Sequence, residues 1–335
     1  MASKKILFIN FGGLGDEILF LPTILSVKKQ YPDSEITLVL EKRSRGISEL
    51  TDVIDEVLCV DIKNNGRKKY FELLNLLIKI WGKNYDAVIS SGSNKFISIF
   101  LFLTLIRKRF GYNTGKLSNL LLTKAVDLNK NQYAVNMYHD LVKNITDIRT
   151  ELPKFSIQKK PTIQNTVLIH PGVSKLSIQK GMIKTIPATE WARVVETLAD
   201  KGKRVLLAGG PDDKDIIDTI KKIVPPEKYE NLYGTTKNIK DLAELISEAE
   251  IFLCSDSAPL HIAVGLGVKT YAIFGSTDDK KLIPANGNVT AIKANCDCPL
   301  RPCLWEKRQT TCEELSCLKI SAEQIAETIL NKELL

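Results

Sequence analysis

The stretch FINFGGLGDEILFLPTI, residues 8–24, decides how the first half of this chain folds. An apolar run stops at Gly12 and Gly13, and an amphipathic pattern starts at Ile18, which predicts a strand, a tight turn and a helix opening a βαβ unit. Such turns often hold an anion at the positive end of the helix. Here Asp16 and Glu17 already bring negative charge to that end, and the third glycine of a GxGxxG loop is missing. We therefore expect no dinucleotide at this turn.

The chain has 335 residues, 44% of them hydrophobic and 26% charged, which is typical of a soluble protein of two domains. Its first residues, MASKKILFIN, lack the apolar region and cleavage site of a signal peptide. The apolar segment 96–106 is shorter than the roughly 20 residues that span a bilayer. We expect a cytoplasmic protein in which this segment is a buried helix; the alternative is that the segment, or the RKR sequence after it, makes peripheral contact with the inner membrane.

The remainder of residues 1–150 alternates strand and helix patterns, which predicts a parallel sheet covered by helices on both faces. The predicted strands are 36–40, 55–61, 86–91 and one near 107–112, and the predicted helices are 70–82 and the segment that starts at Phe96.

A polar stretch, roughly 150–164, contains Pro153 and Pro161 and predicts a linker. The alternation then restarts, with strand patterns in TVLIHPG, RVLLAGGP, IFLCSDS and TYAIFGSTD, which begin at 166, 204, 251 and 270.

We therefore predict an α/β fold of two Rossmann-like, doubly wound parallel-sheet domains, residues 1–155 and 156–320, and a C-terminal helix within 321–335 that Ser321 caps. Ligands of such sheets bind beyond the carboxyl ends of the strands, so we expect the turns after the strands to face one cleft between the domains.

Basic charge is concentrated in the first half of the chain. Residues 1–150 hold 22 Lys and Arg against 15 Asp and Glu, whereas residues 151–335 hold 25 against 24. This asymmetry predicts an anionic partner for the first domain: a phosphorylated glycolipid, an anionic membrane surface or a nucleic acid. Nucleic acid is the weakest of the three, because the chain carries no motif of a nucleic-acid-binding fold.

The segment SDSAPLH, residues 255–261, predicts an anion site in the second domain. A strand pattern ends at Ser255, and Pro259 fits the first turn of the helix that follows. The backbone amides of Ser257, Ala258 and Leu260 are then expected to point toward a bound pyrophosphate. A carboxylate would repel phosphate, so Asp256 is expected to accept hydrogen bonds from sugar hydroxyls; the alternative is that Asp256 or Ser257 caps the helix.

Four segments together resemble the successive signatures of glycosyltransferase family 9, the ADP-heptose:lipopolysaccharide heptosyltransferases. Their order and spacing match over nearly the whole chain, and the apolar segment followed by RKRFGY is also similar to a part of that family. The resemblance implies a GT-B architecture, an inverting transfer, an ADP-sugar donor in the C-terminal domain and an acceptor in the N-terminal one. The segments are FGGLGDEILFLPTI (11–24), HPGVSKLSIQKGMIKTIPATEW (170–191), LLAGGPDD (206–213) and SDSAPLHIAVGLGVKTYAIFGSTD (255–278).

On this resemblance Asp16 matches the family's proposed general base. An inverting transfer needs one carboxylate that removes the proton of the acceptor hydroxyl while its oxygen attacks the anomeric carbon. A helix N-terminus favours the ionised carboxylate, and Gly12, Gly13 and Gly15 leave room for the acceptor. The alternative is that Asp16 only caps the helix.

The resemblance also implies a set of donor-binding residues. Lys184 matches a lysine that contacts donor phosphate, although Ile186 replaces the family's usual tryptophan, and Asp256 matches a sugar-binding acid. Lys184 and the amides near Ser257 would stabilise departing ADP, so no metal cofactor is required for transfer. The predicted donor set is Ser174, Lys184, Gly209, Asp256, Ser257, Ala258 and His261.

The three histidines do not form a catalytic set. His170 and His261 fall on family motifs, at positions where packing is the commoner role, and His139 is expected to be solvated. No GxSxG or HExxH pattern supports a hydrolase.

Five of the seven cysteines lie in one loop, 295–317. Such density in a cytoplasmic protein favours a metal over disulfides, and four thiolates suit a structural zinc or iron ion. The alternative is reduced cysteines that pack the loop. The predicted ligands are Cys298, Cys303, Cys312 and Cys317, with Cys296 as a substitute for Cys298.

The sequence therefore predicts an inverting GT-B heptosyltransferase that uses ADP-heptose and a hydroxyl acceptor on lipopolysaccharide core, another surface glycan or a protein. The alternatives are a GT-B transferase or epimerase that uses a UDP- or GDP-sugar, and a metal-stabilised binding module without turnover.

Overall fold

The computed structural model describes residues 4–63, 66–304 and 312–331. The chain forms two compact units, Met1–Ser156 and Ile157–Leu335. Each unit holds one six-stranded sheet in which all paired strands run parallel. The predicted α/β fold of two doubly wound parallel sheets, the GT-B class, is confirmed.

The first sheet has the strand order β3-β2-β1-β4-β5-β6. Its strands are β1 Lys5–Asn10, β2 Glu35–Glu41, β3 Glu56–Val60, β4 Ala87–Ser90, β5 Lys108–Tyr112 and β6 Lys124–Val126. Its helices are α1 Leu14–Gln30, α2 Lys68–Trp81, α3 Lys95–Leu103, α4 Lys116–Leu121 and α5 Ala134–His139, with 3₁₀ turns at Lys42–Glu49 and Asp140–Val142.

Strand β1 lies in the middle of this sheet because its side chains are apolar on both faces. Leu7, Phe8 and Ile9 are fully buried, and β1 pairs with β2 on one side and β4 on the other. A strand covered by helices on both faces reads as a continuous apolar run, as this one does. Its carboxyl end leads into the Gly12–Gly13 turn.

Helices α2, α3 and α4 lie on the same face of the first sheet. They are the connections that lead toward β4, β5 and β6, and right-handed crossovers that advance in one direction fall on one face. One apolar cluster beneath them includes Leu76 and Ile80 of α2 and Ile97 and Leu101 of α3.

The second sheet has the order β12-β11-β10-β7-β8-β9. Its strands are β7 Ile163–His170, β8 Arg204–Leu207, β9 Glu230–Asn231, β10 Ala249–Ser255, β11 Lys269–Ile273 and β12 Val289–Ile292. Its helices are α6 Lys175–Gln179, α7 Ala188–Asp200, α8 Lys214–Ile223, α9 Ile239–Glu248, α10 Ala258–Leu266, α11 Asp279–Leu282 and α12 Ala322–Asn331, with 3₁₀ turns at Pro211–Asp213, Pro226–Lys228 and Ser316–Leu318.

The C-terminal helix α12 belongs to the core of the second unit. Ile325, Ala326 and Ile329 are buried in the same cluster as Trp191 of α7. The Oγ of Ser321 accepts a hydrogen bond from the Gln324 amide at 3.2 Å, so Ser321 caps the helix as predicted.

Two expectations about individual residues are wrong. Helix α3 is not fully buried, because Phe96 and Phe102 are exposed on its outer side. His139 is not solvated, since it is buried and its Nε2 lies 3.0 Å from the Oγ of Ser26. In the part of the chain described above, no helix is both long and apolar enough to cross a membrane.

Candidate active site

The first turn places the Asp16 carboxylate at the N-terminus of α1. Gly13 is the N-cap residue, and its amide donates a hydrogen bond to Oδ2 of Asp16 at 2.7 Å. The capping role considered for Asp16 is therefore real. Because a carboxylate has two oxygens, this cap leaves Oδ1 to interact with another molecule.

Gly12 is required by the position of Asp16. A Cβ on Gly12 would lie 2.3 Å from the Cβ of Asp16, a distance that no side chain tolerates. The Gly12 amide donates to Oδ1 of Asn10 at 3.0 Å, and the Gly12 carbonyl accepts from Ser44 at 3.3 Å. Gly15 lies in the first turn of α1. Neighbouring strand ends therefore hold the turn that presents Asp16.

Glu17 differs from Asp16 in its surroundings, because its side chain is fully buried. It is 1% exposed, and neither of its carboxylate oxygens has a hydrogen-bond partner. Burial raises the pKa of Glu17 well above its usual value, and the negative charge of Asp16 raises it further. Lys63 and Asn10 lower the pKa by smaller amounts. Glu17 is thus a buried side chain whose surroundings disfavour its charged form, and not the first-turn charge that the sequence suggested.

The N-terminus of α10 provides amide groups at the carboxyl end of β10. Ser257 is the N-cap residue, Ala258 begins the helix and Pro259 has no amide hydrogen. The Leu260 amide donates to the carbonyl of Ser257 at 3.1 Å, so the expectation that it is open to a ligand is wrong. The Ser257 and Ala258 amides remain as donors for an anion.

Lys184 and Asp256 form an ion pair beside this helix end. The Nζ of Lys184 lies 3.2 Å from Oδ2 of Asp256, and the Thr277 hydroxyl donates to the same oxygen at 2.8 Å. Asp256 is almost fully buried, whereas 22% of the Lys184 side chain is exposed. Lys184 and Thr277, from two other segments of the chain, thus both contact one carboxylate oxygen of Asp256.

A buried hydrogen-bond network behind this pair fixes the positions of the strand ends. The hydroxyls of Thr185 and Ser255 both donate to the carbonyl of Pro171, each at 2.7 Å. The indole of Trp191 donates to the Thr185 hydroxyl at 2.9 Å. Ile186, which replaces the family's tryptophan, is buried in the core. Lys184 directly precedes Thr185, so this network fixes the backbone next to Lys184.

Ser174 is exposed and caps the short helix α6. Its hydroxyl accepts from the Ser177 amide at 3.3 Å. Val173, the residue before Ser174, is buried.

Gly209 lies in the turn after β8, packed against Asp213. Asp213 accepts a hydrogen bond from the Gly210 amide at 2.7 Å, and its Oδ2 lies 3.6 Å from Nε2 of His170. Burial lowers the pKa of His170 and raises that of Asp213, and each partner opposes the shift of the other. A Cβ on Gly172 would lie 1.5 Å from Oδ1 of Asp213. Asp213 therefore joins the turns after β7 and β8.

His261 is buried within α10. This position is compatible with packing, the commoner role of a histidine at such a position.

The sequence profile of glycosyltransferase family 9 (heptosyltransferase) matches residues 74–312. The chain belongs to glycosyltransferase family 9. It is 22% identical over 325 residues to lipooligosaccharide heptosyltransferase 2 of Campylobacter jejuni subsp. jejuni serotype O:6, covering 94% of this chain and 95% of the relative.

Two solved structures show the same fold as this family 9 enzyme. The ADP-heptose LPS heptosyltransferase II of E. coli superposes with a TM-score of 0.74 at 19% identity, covering 98% of this chain and 99% of that one. The iron-containing dodecameric glycosyltransferase TibC of enterotoxigenic E. coli H10407 superposes with a TM-score of 0.61 at 14% identity, covering 100% and 78% of the two chains.

Sequence reasoning missed three polar residues that contact members of the candidate site or the strand ends beside them. Thr277 and Thr185 are not in the predicted donor set, and neither is Asp213. All three lie in turns that follow a strand or in a family signature. The rule that ligands bind beyond the carboxyl ends of the strands therefore points to the segments that contain them. Only the contacts described above identify the individual side chains.

The four cysteines predicted as metal ligands line one small cavity of about 30 Å³, together with Ile183 and Ser276. Within residues 4–63, 66–304 and 312–331, however, no group of three or more histidine, cysteine or acidic side chains is placed to hold a metal ion. Burial raises the pKa of Cys303, and the nearby Cys298 and Cys312 raise it further. The thiols thus have the right chemistry for zinc or iron, but their described arrangement is not a ligand set.

Proposed function

We propose that this family 9 glycosyltransferase transfers a heptose from ADP-heptose to a hydroxyl group of a lipopolysaccharide core acceptor, with inversion at the anomeric carbon. The observation that carries the proposal is the meeting of Lys184, Asp256 and Thr277 beside the amide donors of α10. A cation and open amides at one strand end suit a diphosphate, and the adjacent acid suits a sugar.

In the proposed reaction Asp16 is the general base. Oδ2 stays bound to the Gly13 amide, which fixes the direction of the carboxylate, and Oδ1 takes the proton of the acceptor hydroxyl. The acceptor oxygen forms a bond to the anomeric carbon as the bond from that carbon to the ADP oxygen breaks. The proton ends on Asp16 and the electron pair ends on ADP.

Lys184 and the amides of Ser257 and Ala258 stabilise the negative charge that develops on ADP. Preorganised donors of this kind act most strongly on charge that appears only in the transition state. In the structure Lys184 is paired with Asp256, so a bound diphosphate has to share this lysine or draw it away from the carboxylate.

Asp256 has two proposed tasks in the donor site. Its Oδ2 holds Lys184 and Thr277, and its Oδ1 accepts a hydrogen bond from a sugar hydroxyl. Ser174, Gly209 and His261 complete the proposed donor site at the turns after β7 and β8 and on α10.

The first unit is proposed to bind the acceptor. Arg43, which follows β2, has its Nη2 3.7 Å from the position that a Cβ on Gly13 would occupy. This cation beside the Asp16 turn, and the basic excess of residues 1–150, support an acceptor with anionic groups.

A structural zinc or iron ion at Cys298, Cys303, Cys312 and Cys317 is a separate proposal. The cavity that the four thiols share supports it, although their described arrangement is not itself a ligand set. Elemental mass spectrometry of the purified protein tests it. We expect about one zinc or iron ion per chain, lost in Cys303→Ser; a metal-free wild-type protein would mean that the thiols only pack the loop.

Thermal unfolding with a panel of ADP-, UDP- and GDP-sugars and their free nucleotides tests the donor class. A ligand at 100 times its Kd adds about 2.7 kcal/mol to the folded state. We expect stabilisation by ADP-heptose and ADP, and transfer of radiolabelled heptose to lipopolysaccharide core that lacks it. Selective stabilisation by UDP or GDP compounds would overturn the ADP donor, and binding without transfer to any core acceptor would overturn the acceptor.

A further inference from the structure

Exposed large hydrophobic side chains are concentrated on one part of the first unit. Of the 16 among the described residues, 12 lie between positions 70 and 120. They belong to the outer sides of α2, α3 and α4 and to the loop after α3, and together they are called the apolar face. Its members are Tyr70, Phe71, Leu74, Ile78, Trp81, Phe96, Ile99, Phe102, Leu103, Leu105, Leu117 and Leu120.

The apolar face is continuous because the three helices share one side of the sheet. The Trp81 indole at the end of α2 donates a hydrogen bond to the Leu103 carbonyl at the end of α3, at 2.8 Å. Helix α3 packs in turn against α4. Single exposed hydrophobic residues are normal, whereas contiguous apolar surface of this kind marks an interaction site.

Helix α2 shows that the apolar face is additional to the core. Its buried residues Leu76, Leu77 and Ile80 already form one apolar stripe. A second stripe, Phe71, Leu74, Ile78 and Trp81, repeats every three or four residues on the outer side. Since a surface helix needs only one stripe for its own core, the second stripe is available for a partner.

Basic residues are concentrated in the segment that carries the apolar face. Residues 66–124 contain 11 Lys and Arg but only two acids, Glu72 and Asp86. Eight of these basic side chains are exposed, among them Lys95 and Lys116 at the starts of α3 and α4. The guanidinium of Arg109 lies 5.5 Å from the ring centre of Phe102. Apolar and aromatic side chains fringed by lysine and arginine suit the interface of a membrane with anionic headgroups.

We propose that the apolar face binds the surface of an anionic phospholipid bilayer. Pairing with a second copy through the same face is disfavoured, because it would bring two strongly basic surfaces together. The lipid surface supplies both an apolar layer and the opposite charge. The inference goes beyond the proposed function, since it requires neither the donor nor the acceptor.

Cosedimentation with lipid vesicles that contain no acceptor tests the proposal. We expect the full-length protein to bind vesicles of phosphatidylcholine with 30% phosphatidylglycerol at least tenfold more tightly than pure phosphatidylcholine vesicles, and to bind less at 0.5 M salt. Equal binding to both vesicles, or no binding to the anionic ones, would overturn the proposal.

Two double variants locate the surface. Phe96 and Leu120 are 78% and 79% exposed, so their replacement should leave the fold intact. Phe96→Ser with Leu120→Ser is expected to weaken vesicle binding at least tenfold, while Ile163→Ser with Ile223→Ser, exposed in the second unit, is expected to keep it. Wild-type binding by the first variant would overturn the proposal, as would a solution dimer that this variant dissociates.

Stabilisation by ADP separates this proposal from the proposed function. The Phe96 and Leu120 variant is expected to keep the wild-type shift in melting temperature with ADP. Loss of vesicle binding with that shift retained would therefore concern the apolar face alone.

Discussion

The two units build the same local structure at the carboxyl end of a central strand and use it differently. In the first unit the turn after β1 leads into α1, and the Asp16 carboxylate accepts a hydrogen bond from the Gly13 amide at the helix N-terminus. In the second unit the turn after β10 leads into α10, whose N-cap side chain makes no capping hydrogen bond. The first helix end thus presents a carboxylate that also caps the helix, whereas the second helix end has no side-chain cap.

The two turns also hold their buried acids differently. Asp256, at the second turn, is paired with Lys184 and accepts a hydrogen bond from Thr277. Glu17, at the first, has no hydrogen-bond partner for either oxygen. Burial without such partners disfavours the charged form of a carboxylate, so the two turns surround their buried acids with opposite environments.

Replacement of Asp16, the proposed base, should have the largest effect. Asp16→Asn keeps an oxygen that can accept the hydrogen bond from the Gly13 amide but loses the ability to take a proton. We expect kcat to fall by about 10²- to 10⁴-fold, with the ADP-induced stabilisation unchanged. The exposed Asp52→Asn is the control and should keep wild-type turnover. A fall in kcat of less than tenfold in Asp16→Asn would contradict Asp16 as the base, and with it the proposed difference between the two turns.

Removal of the cation tests the second turn. Lys184→Ala leaves the α10 amides in place but takes away the positive charge beside them, and we expect kcat/KM for the donor to fall by about 10²- to 10³-fold. Lys180→Ala, four residues earlier and exposed, is the matched control. Equal donor kinetics in the two variants would contradict an anion site at this helix end.

The hydroxyl at Asp256 should have a smaller effect. Thr277→Val removes one hydrogen bond to a charged group, worth about 1.5 kcal/mol or roughly tenfold in kcat/KM. Thr277→Ser restores the donor and should return most of the activity. Failure of serine to do so would show that Thr277 acts through packing and not through Asp256.

The smallest expected effect is on stability and concerns Glu17. Its pKa is raised in the folded protein, so between the unfolded and folded pKa values the folded state binds more protons and stability falls as pH rises. Glu17→Gln should therefore raise Tm at pH 8 by about 2 °C or more, the shift given by roughly 1 kcal/mol in a domain of this size, and change it less at pH 5.

The control for this change is Glu227→Gln, an exposed acid. It should leave Tm unaltered at both pH values. A lower Tm for Glu17→Gln at pH 8 would show that Glu17 is charged and paired in the folded protein.

Most of the fold could be predicted from the sequence because the signals for strands, turns and helices are local. The strand patterns that begin at residues 36, 55, 166, 204, 251 and 270 correspond to β2, β3, β7, β8, β10 and β11. The short strands β6, β9 and β12 were not predicted, since they have four residues or fewer and little periodicity. The roles of Asp16 and Lys184 came from motif resemblance, that of Asp256 came from its turn and from the resemblance, and all three roles stay predictions.

The sequence by itself determined the order of strands and helices, the positions of the turns and the basic excess of the first half, because glycine, proline, charge and apolar periodicity act over a few residues. Only the tertiary structure decided which side chains meet. Lys184 and Thr277 reach one oxygen of Asp256 from 72 and 21 residues away along the chain. The same holds for burial: the pKa of Glu17 is raised, and the second stripe of α2 stayed exposed, because of what the folded chain packed around each of them.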